Sequence, residues 1–187
     1  KQAAQKAVLP ITSEGVTRKI GVITLPTFYE DFDARQNGDK DYRSASRDVA
    51  KLLAELKQEK VDGVLVDLRD NGGGSLSEAI ELTALFTGKG PVVQQRNAGG
   101  KIKIQGDDVS KAAWTGPVGV LINRASASAS EIFAAAIQDY GRGVIIGEQS
   151  FGKGTVQTVV DLDQVARNSE PRFGQLKFTV AQFFRVD

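Results

Sequence analysis

The 187-residue chain contains no cysteine, no histidine and no methionine. Those absences remove disulfides, thiol catalysis, zinc fingers and every imidazole mechanism, and they leave carboxylates as the only side chains able to ligate a metal. No metal and no cofactor is expected. A surplus of one charge is also missing, since 24 Lys plus Arg stand against 23 Asp plus Glu. The basic excess that marks a nucleic-acid or anionic-lipid partner is therefore not there. No stretch approaches the roughly 18 apolar residues of a membrane helix, so no membrane insertion is expected. The lack of an initiator methionine implies a processed end or an excised boundary, and no signal peptide is visible. What remains, 41% apolar and 25% charged residues, is the composition of an ordinary globular domain with a core of its own.

Residues 1–17 open with the turn-prone KQAAQKAVLPITSEG and are expected to be a lead-in or linker, with the folded domain over 18–187. Arg18–Pro26 predicts a strand ended by proline, and Thr27–Ser44 a polar surface excursion. Within Ser46–Lys60, Val49, Leu52, Leu53 and Leu56 fall at helical spacing. Val61–Arg69 predicts a buried strand that stops at DNGGGS, and Leu76–Phe86 a packed helix ended by Gly88. Strand-like pieces recur at PVVQQR, KIKIQ and PVGVLIN. A helix then runs from the serine segment NRASASASEIF to Tyr140, where Gly141 would stop it, and RGVIIGE follows as another buried strand. GTVQTVVDL and QLKFTVAQFFRV alternate like antiparallel strands around a polar loop at Arg167–Arg172. This order predicts an α/β fold with a mixed sheet, packed helices and a β-rich C-terminal part. Ligand sites are expected at the glycine-rich turns that follow the strands.

The triple glycine of DNGGGS lacks the spacing of a dinucleotide fingerprint, but a residue without Cβ lets a backbone N–H approach a developing oxyanion closely. GEQSFGKGT, from Gly147, meets most of a phosphate-binding loop, yet Gly154 stands where the magnesium-ligating hydroxyl belongs and a strand pattern follows in place of a helix. In the serine segment, Ser128-x-x-Glu131 ahead of an apolar helical run reads as a capping box. The same position suits a nucleophile, because helix N–H groups converge there. A serine nucleophile needs a base, and in a chain without histidine that base has to be a lysine. Its ordinary pKa of about 10.4 must then be brought to about 7 to 8 by desolvation. Lys153, between Gly152 and Gly154 and after Phe151, has no adjacent carboxylate to hold its charge. Ser-Lys pairing is a recognised variant of the catalytic triad.

Taken together, DLRDNGGG, NRASASASEIFAAAIQDYGR and GEQSFGKGTVQ resemble the carboxyl-terminal processing, or tail-specific, serine peptidases of family S41. The resemblance runs from about Lys19 to the end, and its details lie nearest the bacterial periplasmic branch. It implies a catalytic domain related to the crotonase and Clp protease fold, with a Ser-Lys pair spaced by 25 residues, which are Ser128 and Lys153 here. Carried over by position, Gln157 would orient the base and Asp139 matches an acidic residue implicated in catalysis. Gly74 and Ala129 would supply the oxyanion N–H groups. Glu131 matches a residue found beside the site, and Ser126 and Ser130 are bystanders. The resemblance further implies protein substrates chosen by their C-termini, an envelope or periplasmic setting, and adaptor proteins or oligomerisation through other segments. The PDZ domain and terminal segment of such proteases have no counterpart in these residues, so an excised catalytic domain is expected. A crotonase-like acyl-CoA enzyme and a non-catalytic interaction domain, in which Ser128 only caps, stay open as alternatives.

Overall fold

The computed structural model describes residues 3–108, 111–168, 170 and 172–186. Along the chain run β1 (Gln5–Ser13), β2 (Val16–Thr24), α1 (Phe32–Gln36), α2 (Ala45–Gln58), β3 (Gly63–Asp67) and α3 (Leu76–Thr87). They are followed by β4 (Gly90–Asn97), β5 (Ile102–Asp107), β6 (Val118–Ile122), α4 (Ala129–Asp139) and β7 (Val144–Gly147). The last elements are β8 (Thr155–Asp161), α5 (Leu162–Ala166) and β9 (Gln175–Phe184).

Two sheets form. The five-stranded one has the order β1-β2-β3-β6-β7 and the four-stranded one β5-β4-β9-β8. In the first, β2, β3, β6 and β7 are parallel and β1 pairs antiparallel with β2, so the sheet is mixed as expected. The second is antiparallel throughout. It joins the β-rich C-terminal part to PVVQQR and KIKIQ, which the sequence reading had not grouped with it. Parallel neighbours need crossovers, and α2 and α4 supply those from β2 to β3 and from β6 to β7.

One core fastens the layers together. Ile23, Val64, Val66, Val118 and Val120 of the five-stranded sheet meet Leu53 and Leu56 of α2, Leu82 and Phe86 of α3, Phe133 and Ile137 of α4, and Val92 and Val93 of β4. The Phe86 and Phe133 rings pack edge to face, 5.6 Å between centroids. Helix α3 buries residues on all sides, as a central helix must, whereas α2 buries Val49, Leu53 and Leu56 and leaves Lys51, Glu55 and Lys57 exposed.

Three local expectations change. Gln5–Ser13 is not a lead-in but strand β1, paired along its length with β2, from Gln5 opposite Thr24 to Ser13 opposite Val16. Pro10, which made the segment look turn-prone, is tolerated because an edge strand pairs on one side only. The excursion after β2 contains the short helix α1, capped by the Asp31 side chain on the Ala34 N–H at 3.0 Å. The segment after β8 begins as α5 before its loop. Residues 1 and 2 of the expected lead-in, and 169 and 171 of the expected loop, lie outside the described residues.

Candidate active site

The turn after β3 and the segment after β6 are bound into one unit. Asn71 is fully buried and donates Nδ2 to the Leu25 carbonyl at 2.8 Å, while its Oδ1 accepts the Gly73 N–H at 2.9 Å. The Asn71 carbonyl in turn accepts the Ala127 N–H at 3.1 Å and the Ser130 hydroxyl at 2.9 Å. Ser126 donates to the Leu68 carbonyl at 2.8 Å. Ser126 and Ser130 are both fully buried, and of the three alternating serines only Ser128 is not buried. The alternation is thus a division of labour: the flanking hydroxyls anchor the segment and the central one is presented.

Close approach fixes the glycines. A Cβ on Gly74, at φ 145, would stand 2.3 Å from the Phe28 carbonyl oxygen. One on Gly73, at φ 101, would meet Ser128 Cβ at 2.8 Å. The turn is held there by the Phe28 N–H on the Gly73 carbonyl at 2.9 Å and by the Ser75 N–H on the Phe28 carbonyl at 2.8 Å. No hydrogen bond among the described residues takes up the N–H of Gly74 or that of Ala129.

The capping box at the start of α4 is present, with Glu131 Oε2 accepting the Ser128 N–H at 2.8 Å. Its backbone is not that of an ordinary cap. Ser44 and Ser75, which cap α2 and α3, are extended at φ −147 and −65, whereas Ser128 has φ 58 and ψ −114. A residue with a Cβ held in that region carries strain of order 1–3 kcal/mol, which persists only where surrounding bonds fix it. Here the bonds to Asn71, Leu68 and Glu131 do so.

Lys153 arrives on the connection from β7 to β8, which passes from one sheet to the other. The Phe151 N–H binds the Ser126 carbonyl at 3.0 Å. Glu131 then takes over: its Oε1 accepts from Gly152 N–H at 2.6 Å and Ser150 Oγ at 2.7 Å, and its Oε2 from Lys153 N–H at 2.9 Å. One carboxylate therefore ties the Ser128 backbone to the Lys153 backbone. The half-buried Lys153 side chain has no hydrogen-bond or ion-pair partner among the described residues.

A cavity of about 500 Å³ is lined by Ser128, Lys153, Gln157, Gly74 and Ala129, together with Ser75, Ser77 and Lys177. Five of the six residues proposed from sequence thus share one wall. The sixth does not. Asp139 ends α4, about 16 Å from its start at the rise of a helix. It is paired there with Arg185, whose Nε lies 3.0 Å from Oδ1. Among the described residues no Asp or Glu lines the cavity. Behind Ser75 and Ser77, which donate to Glu30 at 2.5 and 2.9 Å, burial pushes the Glu30 carboxyl up, but these bonds and the Arg35 pair outweigh it and leave it below its ordinary range. Two further features escaped the sequence reading. The grip of Glu131 on the lysine loop spans 21 and 22 positions, which no local motif encodes. Lys177 reaches the wall from β9 by strand pairing alone.

Residues 19–187 match the model of peptidase family S41, and the chain belongs to that family. It is 44% identical over 178 residues to the tail-specific protease of Haemophilus influenzae, covering 95% of this chain and 24% of that protein. It is 37% identical over 145 residues to the chloroplastic carboxyl-terminal-processing peptidase 2 of Arabidopsis thaliana, covering 77% of this chain and 26% of that one. Among solved structures it is similar to the photosystem II D1 C-terminal processing protease, with a TM-score of 0.74 and 27% identity over 98% of this chain and 44% of that one. The chain thus spans about a quarter of the length of these curated relatives. No helix among the described residues is long and apolar enough to cross a membrane.

Proposed function

We propose that the chain from β1 onward forms the catalytic domain of a serine endopeptidase that cleaves proteins selected by their C-terminal region, using Ser128 as nucleophile and Lys153 as base. The observation that carries this reading is the meeting, in one cavity, of a serine held at φ 58, an unpartnered lysine, and two N–H groups without acceptors. Ser128 Oγ attacks the scissile carbonyl carbon while Lys153 Nζ, in its neutral form, takes the hydroxyl proton. The N–H groups of Gly74 and Ala129 are assigned to receive the oxyanion that develops. Lys153 hands its proton to the leaving amine, and an ester on Ser128 remains. Water then attacks that ester as Lys153 takes the proton of the water and returns it to Ser128 Oγ. Gln157, which lines the same cavity and makes no hydrogen bond to Lys153 among the described residues, is the residue assigned to orient the lysine once substrate is bound. Asp139, remote and paired with Arg185, acts through the fold and not on the substrate. The names of the relatives, tail-specific and carboxyl-terminal-processing, support the substrate class, and a cell-envelope setting is proposed from the resemblance of the motifs alone.

In the full-length protein, Ser128→Ala and Lys153→Ala are each expected to lower hydrolysis of a fluorogenic peptide by about 10³-fold or more, with Tm unchanged or raised. A fluorophosphonate should label the parent and not Ser128→Ala. Equal turnover by Lys153→Ala and the parent would reject the lysine as base.

A further inference from the structure

The cavity that holds the nucleophile contains a second amine, Lys177, to which the mechanism gives no task. Its position follows from pairing. On β8 and β9, Gln157 lies opposite Thr179 and Val159 opposite Lys177. Directly opposed residues share a face, so Lys177 stands diagonal to Gln157 on the face turned to Ser128. The register shifts between Val156 and Gln157, whose partners are Ala181 and Thr179 with Val180 of β9 left over, and both of these consecutive β8 residues line the cavity. Among the described residues Lys177 has no hydrogen-bond or ion-pair partner. Lys153 and Lys177 line the cavity and, among the described residues, no Asp or Glu does; the carboxylates of Glu131 and Glu30 stand behind that lining with their oxygens engaged by the backbone N–H groups of Ser128 and Lys153 and by the hydroxyls of Ser75 and Ser77. A site with one sign of charge draws the opposite sign. Lys153 is taken up by the catalytic step, whereas Lys177, exposed on β9, is left to meet the substrate.

Resting on the peptidase reading, we propose that Lys177 is a specificity-determining residue that binds a carboxylate of the substrate close to the scissile bond. The carboxylate has two possible sources, an Asp or Glu side chain flanking the bond or the terminal carboxylate of a short C-terminal segment.

The test uses the full-length protein and two peptide series. One series exchanges Glu for Gln at each of the positions flanking the cleaved bond. The other compares a free C-terminus with its amide. The parent is expected to favour the carboxylate form by roughly 5- to 10-fold in kcat/KM, mainly through KM, at one flanking position or at the terminus. Lys177→Met should erase that preference, Lys177→Glu should reverse it, and Lys177→Arg should keep it. Binding of the same labelled peptides to Ser128→Ala and to Ser128→Ala/Lys177→Met, read by anisotropy, gives the ratio without turnover. Identical carboxylate-to-neutral ratios with and without Lys177, in either readout, overturn the assignment while leaving the peptidase reading standing. If the parent cleaves and binds none of the peptides, the peptidase reading fails and takes the assignment with it.

Discussion

In the five-stranded sheet, β3 and β6 are paired on both sides and bury Val64, Val66, Val118 and Val120; in the four-stranded sheet, β8 and β9 leave Val159, Leu176, Phe178 and Val180 exposed. Both sheets reach the same cavity. From the first come Ser128, Gly74 and Ala129, on turns pinned by buried Asn71, Ser126 and Ser130. From the second come Gln157 and Lys177, on a ribbon with solvent near both faces. Groups that must stand within a fraction of an ångström of the reacting atoms are anchored in the core. On the proposed roles, Lys177, which would meet the variable part of a substrate, stands where change costs little.

The contrast breaks most directly at Asn71. Asn71→Ala strips buried partners from the Leu25 carbonyl and the Gly73 N–H, and is expected to cost about 2–4 kcal/mol in urea unfolding, with a matching collapse of turnover. A loss under about 0.5 kcal/mol would show that the anchored half is no firmer than the ribbon. A buried charge sharpens the comparison next. Burial pushes the Glu78 carboxyl above its ordinary 4.5, against the hydrogen bonds from Ser46 and Ser44 that pull it down. Its Oε1 has no partner. A group that holds its proton more tightly when folded stabilises fully below the unfolded value and loses that contribution as pH rises through the folded value. Glu78→Gln should therefore gain on the parent, in paired unfolding titrations, from about pH 4.5 upward. A difference independent of pH would reject the buried, raised carboxyl. The smallest effect belongs to the ribbon: Val159, 54% exposed, should tolerate Val159→Thr within about 0.5 kcal/mol.

The parts of this site that could be read from sequence were those with a local chemical cause. The triple glycine, the serine at a helix start and the lysine between glycines each carry their reason in neighbouring residues, and Ser128, Lys153, Gln157, Gly74 and Ala129 do share one cavity. Asp139 matched by position, but a helix separates it from the rest. Strand β1 was hidden because Pro10 interrupts its apolar run of Val8, Leu9 and Ile11, and the mixed residues on either side look like a linker until a partner strand is supplied. Glu131 was legible as a cap and not as the tie between two loops, since its other partners come from a distant connection. Lys177 had no signal at all, because its place depends on a register that shifts between Val156 and Gln157.

The torsion at Ser128 sets chemistry and sturdiness against each other at a single residue. Glycine would rest there without that strain, so on the proposed role Ser128→Gly would exchange the hydroxyl for a sturdier backbone.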